Sequence, residues 1–317
     1  MELLIQFLIL AAGFVLLIKG ADWFVDGASG VADRFGIPQI VIGLTIVAMG
    51  TSLPEAAVSI SAAFKGSADI TIGNVVGSNI INVLLILGIT SVIRALSVQK
   101  NTIRYEIPFT IAITVVLALL GLLDNEVGRI DGIILWGLMV LYMVYLVWVS
   151  KTDQNAAGEE NTADKIKGSL PKLIVLILIG SGMIVFGSNI AVDAATFIAE
   201  ELGMSERLVG LTIVAFGTSL PELVTSCMAA VKGKSDIAVG NIIGSNIFNI
   251  LFVVGTTAVI VPVPYAREFI EDSLVAVGAV VLLFICVIPK KKLTRIGGLV
   301  MLAVYFVYFV YLLQEGA

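Results

Sequence analysis

The sequence predicts an all-α membrane protein of ten transmembrane helices in two inverted-topology five-helix repeats, with the second and third helices of each repeat kinked or broken. Three observations predict it. The 317-residue chain is 58% hydrophobic and 14% charged, with a mean hydropathy of +1.05, too apolar for a soluble domain of this length. Its apolar stretches of about 20 residues or more, the length that crosses a bilayer core, number ten. Two blocks, 43–90 and 210–257, align without gaps at an offset of 167 residues and are identical at 29 of 48 positions. Five spans per half is an odd number, so the second half enters the membrane from the opposite side to the first.

The elements follow in order. The start, MELLIQFLIL, carries an acid and no basic residue, so it lacks the charged leader of a signal peptide and reads as the first span, near 3–33. The second, 37–64, contains GTSLPE, and the third, 69–93, contains GNVVGSNIIN. Spans at 104–122 and 129–150 complete an N-terminal repeat over 1–150. A polar stretch bearing Gly, Asn and Glu, 151–168, reads as a short connector with no room for a folded domain. The C-terminal repeat, 169–317, repeats the pattern at 170–201, 208–231 (GTSLPE again), 236–261 (GNIIGSNIFN), 268–288 and 294–313. The first helices carry a weaker echo: Gly13, Gly20 and Gly27 align with Gly180, Gly187 and Ala194. Seven-residue spacing lines these small residues along one strip, which suits close helix packing and also a smooth sliding surface.

Loops rich in Lys and Arg stay cytoplasmic. With the N-terminus outside, 14 of the 19 basic residues, among them Arg94, Lys151, Lys232 and Lys290, lie inside, against Lys65, Arg129, Arg207 and Arg267 outside. The reading is a multi-pass cell-membrane protein with both termini extracellular and the 151–168 linker cytoplasmic. Cys227 and Cys286 fall within helices and read as small core residues rather than a disulfide.

Glu55 and Glu222 stand at equivalent positions in otherwise apolar helices. A carboxylate at mid-bilayer costs roughly 2.5–3.5 kcal/mol on the insertion scale, so an unpaired one is rarely structural. Oxygen donors surround both. Pro54 has no N–H and crowds the preceding turn, so the Gly50 carbonyl loses its helical partner and that of Thr51 is disturbed; Pro221 does the same for Gly217 and Thr218. Such carbonyls are tolerated at this depth where they line a cavity, and a bound cation would satisfy them. On the following helices Asn74, Ser78 and Asn82 are spaced i, i+4, i+8, as are Asn241, Ser245 and Asn249, which puts each trio on one face. Gly73 and Gly77, like Gly240 and Gly244, are GxxxG steps for close approach.

The chain has no His and no Cys at ligand spacing. All-oxygen donors suit hard cations and argue against zinc, copper or iron, and a loose site that dehydrates its ion favours Ca²⁺ over Mg²⁺. Two carboxylates balance one divalent or two monovalent cations, and an empty doubly charged pocket is costly to carry through low dielectric. Such a carrier crosses when loaded, which is obligatory exchange.

These GTSLPE and GSNxxN blocks in inverted repeats resemble the cation/Ca²⁺ exchanger superfamily, particularly the prokaryotic Na⁺/Ca²⁺ exchangers (calcium/sodium antiporters), over essentially the whole chain. The resemblance implies antiport by alternating access, with ions held mid-membrane between the repeats. It implies that Glu55 and Glu222 bind Ca²⁺ beside the carbonyls of Thr51 and Thr218. Ser52, Ser219, Ser78 and Ser245, with the carbonyls of Ala48 and Ala215, are the implied Na⁺ ligands, and Asn82 and Asn249 face the central position. Some relatives, including potassium-dependent exchangers, carry Asp where this chain has Asn249, so K⁺ co-transport is not expected here. The proton-coupled branch typically shows GNxxE where this chain has GTSLPE twice, which favours Na⁺ as counter-ion; a Ca²⁺/H⁺ antiporter using the same two glutamates is the alternative. In the family the first helix of each half moves as a gate.

The expected partners are Ca²⁺ and Na⁺ (H⁺ in the alternative) as transported substrates and the lipid bilayer, with no resident cofactor, no nucleic acid and no inferable protein partner. A cation channel would also line its path with Glu and Thr, but it would ignore a counter-ion. No nucleophile, metal centre or cofactor motif accompanies the acids, so no enzyme is expected. Gly233-Lys234-Ser235 ends like a P-loop, but Met228 occupies the required first Gly, which excludes nucleotide binding. Lys19, Asp22 and Asp26 lie at salt-bridge spacing on the first helix and read as a structural group or as vestibule charges.

Overall fold

The computed structural model describes residues 2–68, 70–156, 169–203 and 215–315. Its helices are α1 (Glu2–Phe35), α2 (Gln39–Thr51), α3 (Leu53–Phe64), α4 (Ile70–Ile93), α5 (Thr102–Asp124) and α6 (Arg129–Ala156) in the first half. In the second half they are α7 (Leu170–Glu201), α8 (Leu220–Val231), α9 (Ser235–Ile260), α10 (Glu268–Val287) and α11 (Arg295–Glu315). Among the described residues eight helices are long and apolar enough to cross a membrane, and the α2–α3 pair makes a ninth, bent span. The shorter α8 is preceded by one helical turn, Ala215–Gly217. The expected span 208–231 therefore has its first part outside the described residues, as do most of the 151–168 connector and the GLTIV segment of the second block.

The first half breaks where Pro54 predicts. Between α2 and α3 the axis turns by 48°, and the backbone bonds spanning the break run from Ser52 N–H to the Ala48 carbonyl (3.0 Å) and from Ala56 N–H to the Ser52 carbonyl (3.1 Å). Gly50 and Thr51 are passed over, since Pro54 offers no N–H. Before α8 the break is one residue tighter, with Ser219 N–H on the carbonyl of Phe216, three residues back, and Leu223 N–H on that of Ser219, each at 3.1 Å. The third helix of each half runs through as one span. Neither α4 nor α9 is broken; each instead carries a π-helical turn, Ile81–Ile86 and Asn249–Val254. A π-turn inserts a residue without stopping the helix and re-aims the side chains around it. These helices contain no proline to force a break.

Helices α9 and α4 form the middle of the molecule: 94% and 72% of their most apolar stretches are buried, while α1, α6 and α11 turn side chains such as Val15, Ile130 and Leu299 outward, as a lipid-facing ring does. Two short antiparallel ribbons tie the halves together. Strand β1 (Leu96–Ser97) pairs with β4 (Lys292–Leu293), and β2 (Glu126–Val127) with β3 (Val263–Pro264). Because α5 separates β1 from β2, the two ribbons cap opposite ends of the bundle.

The glycine strips meet each other. A Cβ on Gly20 would lie 2.8 Å from the Gly180 carbonyl oxygen, one on Gly180 would lie 2.7 Å from that of Gly20, and Gly13 and Gly187 are related in the same way at 3.0 and 2.9 Å. The strip is thus a seam joining α1 to antiparallel α7, an answer the sequence left open. Gly20→Ala is expected to lower the melting temperature in detergent: overpacking against backbone costs about 1–3 kcal/mol, more than the roughly 1 kcal/mol of helix propensity gained. Gly240 and Gly244 likewise let α9 approach α2 at Gly43 and Leu44; Gly73 meets Phe269. The Lys19, Asp22, Asp26 group resolves differently from its spacing: Asp22 and Asp26 pair with Lys232, beyond the end of α8, at 2.7 and 2.5 Å.

Candidate functional site

The two breaks and the two central helices converge at the middle of the bundle. Glu55 opens α3 and Glu222 opens α8, and both are fully buried. Each half serves the other's carboxyl. Ser52 Oγ donates to Glu222 Oε1 at 2.8 Å, and Ser245 Oγ reaches the same oxygen at 3.4 Å while also lying 3.4 Å from the Ala48 carbonyl. Thr51 also faces Glu222, and Thr218 and Ser219 face Glu55 in the mirrored arrangement. The carboxyls are close enough to repel one another when both are charged.

The centre of the site gathers unmet oxygens. Glu55 Oε1 and Oε2, Glu222 Oε2, Asn82 Oδ1 and Asn249 Oδ1 are buried and have no hydrogen-bond partner among the described residues, and the Thr218 and Ser219 hydroxyls are likewise unpaired. Buried acceptors without donors are costly. The two amides are held so that their oxygens stay free. Asn82 Nδ2 donates to Asn246 Oδ1 (3.0 Å) and Asn249 Nδ2 to Asn79 Oδ1 (3.1 Å). Asn79 and Asn246 in turn exchange bonds from Nδ2 to each other's backbone carbonyl, both at 3.2 Å. This reciprocal quartet locks α4 to α9 beside their π-turns.

Asn79 and Asn246 are positioning residues that the i, i+4, i+8 stripes passed over; their recurrence in both GSN blocks was the available signal. Asn74 and Asn241, taken with the stripes, serve as braces. Asn74 Nδ2 donates to Ser59 Oγ (2.9 Å) and the Glu55 carbonyl (3.2 Å), and Asn241 Nδ2 donates to Ser226 Oγ (2.9 Å) and the Glu222 carbonyl (3.5 Å). Thr51 Oγ1 donates to Asn241 Oδ1 at 3.0 Å. Ser78 and Ser219 are buried on the same central elements. Ala215 opens the turn before the second break. The Gly217 carbonyl, freed by Pro221, accepts from Ser188 Oγ of α7 at 3.0 Å.

The sequence model of the sodium/calcium exchanger protein family matches residues 5–148 and 172–314. The putative antiporter CaxA of Alkalimonas amylolytica is 39% identical over 316 residues, covering 96% of this chain and 98% of its own. The sodium/calcium exchanger MaX1 of Methanosarcina acetivorans is 32% identical, covering 97% and 98%. Among solved structures, the sodium-calcium exchanger NCX_Mj soaked with zero Na⁺ and Ca²⁺ superposes with a TM-score of 0.83 at 32% identity, covering 98% of this chain and 99% of that one. A bundle of membrane-crossing helices around buried oxygens that make no hydrogen bond among the described residues agrees with these matches, and the chain belongs to the sodium/calcium exchanger protein family, transporters of ions and not enzymes.

Proposed function

We propose that the protein is a secondary active antiporter that exchanges Na⁺ for Ca²⁺ by alternating access, with the ions bound between Glu55 and Glu222. The observation that carries this reading is the set of five buried acceptor oxygens on Glu55, Glu222, Asn82 and Asn249 that make no hydrogen bond among the described residues, even with the Thr218 and Ser219 hydroxyls facing Glu55. Hydrogen-bond donors would be the protein's own remedy; a dehydrated hard cation is the remedy that a carrier needs. In this reading Ca²⁺ takes the two carboxylates with the carbonyls of Thr51 and Thr218, steadied by Asn82 and Asn249. Na⁺ takes Ser52, Ser78, Ser219 and Ser245 with the carbonyls of Ala48 and Ala215. The crossed bond from Ser52 to Glu222 favours a shared site, since one half's hydroxyl already serves the other half's carboxyl.

The architecture we infer is ten spans in two inverted repeats, residues 1–150 and 169–317, with both termini outside and the linker inside. At the repeat offset β1 corresponds to β3, yet β1 pairs with β4 at one end and β3 with β2 at the other; that exchange of ends supports the inversion. The joined α1 and α7 form the element that would move past the central site.

Proteoliposomes loaded with Na⁺ are expected to accumulate ⁴⁵Ca²⁺ against Na⁺-free controls, with no uptake driven by a proton gradient alone. Uptake that follows only the proton gradient would assign the two glutamates to proton exchange and overturn the Na⁺ reading.

A further inference from the structure

Away from the central site, α5 and α6 frame an open-sided cavity of about 480 Å³ lined by Arg104, Tyr105, Glu106, Phe109, Tyr142 and Tyr145 among others. Glu106 is only 2% exposed. Its Oε1 accepts from Tyr145 Oη at 2.6 Å, but Oε2 has no partner among the described residues; neither has the buried Tyr142 hydroxyl, nor Thr102 Oγ1 one turn earlier. Aromatic faces make the walls, with Phe109 stacked on Tyr142 (centroids 5.4 Å) and Tyr105 tilted against Tyr145 (6.1 Å). At the mouth the exposed Arg104 guanidinium sits 5.5 Å from the Tyr105 ring, and Leu141, 64% exposed, opens the side toward lipid.

The equivalent helix pair of the second half is joined by tyrosine–carboxylate bonds without a buried acid. The positions equivalent to Glu106, Tyr142 and Tyr145 are Ser273, Phe309 and Leu312, and Ser273 is satisfied by the Tyr265 hydroxyl at 2.6 Å. The second half joins α10 to α11 by Tyr308 on Asp272 and Tyr311 on Glu271, outside the fully buried interior. Among the described residues, a buried acid with a spare oxygen beside a spare phenol belongs to the first half alone.

We propose that this cavity binds the headgroup of a phospholipid that carries a primary ammonium. The chemistry selects each part. Aromatic faces around a carboxylate attract an organic cation, and apolar walls do not replace the shell of a hydrated inorganic one. Glu106 Oε2 and the Tyr142 phenol oxygen can each accept an N–H, which a primary ammonium has and a trimethylammonium lacks. Arg104 at the mouth matches a phosphate in charge and in fork geometry, and the open apolar side accepts acyl chains.

The test titrates the purified, delipidated full chain with dioleoylphosphatidylethanolamine or dioleoylphosphatidylcholine and counts bound lipid by native mass spectrometry. The wild type is expected to hold one phosphatidylethanolamine with about tenfold preference, the scale of a charge-assisted bond in an aromatic cage. Glu106→Gln and Tyr142→Phe are each expected to erase most of that preference, and Arg104→Ala to weaken both lipids alike. Equal binding of the two lipids by the wild type, or an unchanged preference in Glu106→Gln, overturns the proposal. Should Glu106→Gln fail to fold, Tyr142→Phe, which removes one hydroxyl, gives the same decision: a preference that survives it overturns the proposal.

Discussion

Glu55→Gln and Glu222→Gln are each expected to reduce Na⁺-driven ⁴⁵Ca²⁺ uptake by at least about 100-fold, because a divalent ion left with one carboxylate in low dielectric loses several kcal/mol of charge balance. The swap keeps volume and one oxygen, and it removes a buried charge, so the proteins are expected to melt no lower than the wild type. The two variants should not be identical. Glu222 keeps Ser52 and Ser245 as donors to Oε1, whereas both Glu55 oxygens are unpaired among the described residues. A Gln amide that presents its NH₂ to Ser52 forfeits one of those bonds, so Glu222→Gln should gain less stability than Glu55→Gln. Ca²⁺ uptake at wild-type rates in both variants would remove the carboxylates from the site.

Asn246→Ala is expected to raise the half-saturating Ca²⁺ concentration by about tenfold or more and to destabilise the fold by about 2–4 kcal/mol, although Asn246 is not among the proposed ligands. Two effects add. The truncation deletes the bond from Asn246 Nδ2 to the Asn79 carbonyl and orphans Asn82 Nδ2, at about 1–3 kcal/mol for a buried group left unpaired. It also frees the Asn82 amide to rotate, so its oxygen no longer points inward by default. Asn79→Ala should act in the same way through Asn249. Thermal melts with and without Ca²⁺ separate the two effects: an unchanged Ca²⁺-induced shift would leave Asn246 a purely structural role.

Much of this was legible in the chain because the useful information is duplicated. Glu55 and Glu222, the hydroxyls beside them and the proline breaks occur twice in polar form within apolar helices, where packing gives no reason to keep them. The glycine strips were legible as strips, but their partner was not, since a small-residue face does not say what it touches. The π-turns of α4 and α9 were hidden for another reason: the polar stripes stop at Asn82 and Asn249, where the turns begin, and the apolar run beyond has no polar face whose drift would betray the inserted residue. The ribbons are two residues long and pair across the halves, too short for any period of two to register. Glu106 was missed because it has no counterpart; reasoning from repeats sees only what was copied.

The clamp of Lys232 on Asp22 and Asp26 gives the duplication one more consequence. At the same offset its counterpart is Lys65 with Asp193, and Asn189 stands where Asp22 does. Lys65 and Asp193 are exposed and form no ion pair among the described residues, and they lie toward the other end of the bundle. The molecule therefore carries two acids on the closed latch and one on the open one. If the latches close in alternation, the two resting populations are unequal before any ion arrives, and a binding site shared by both states must work against that standing bias on one stroke and with it on the other. Asp22→Asn, which copies Asn189, would level the two populations, and added salt would move the wild type the same way by weakening the stronger latch more.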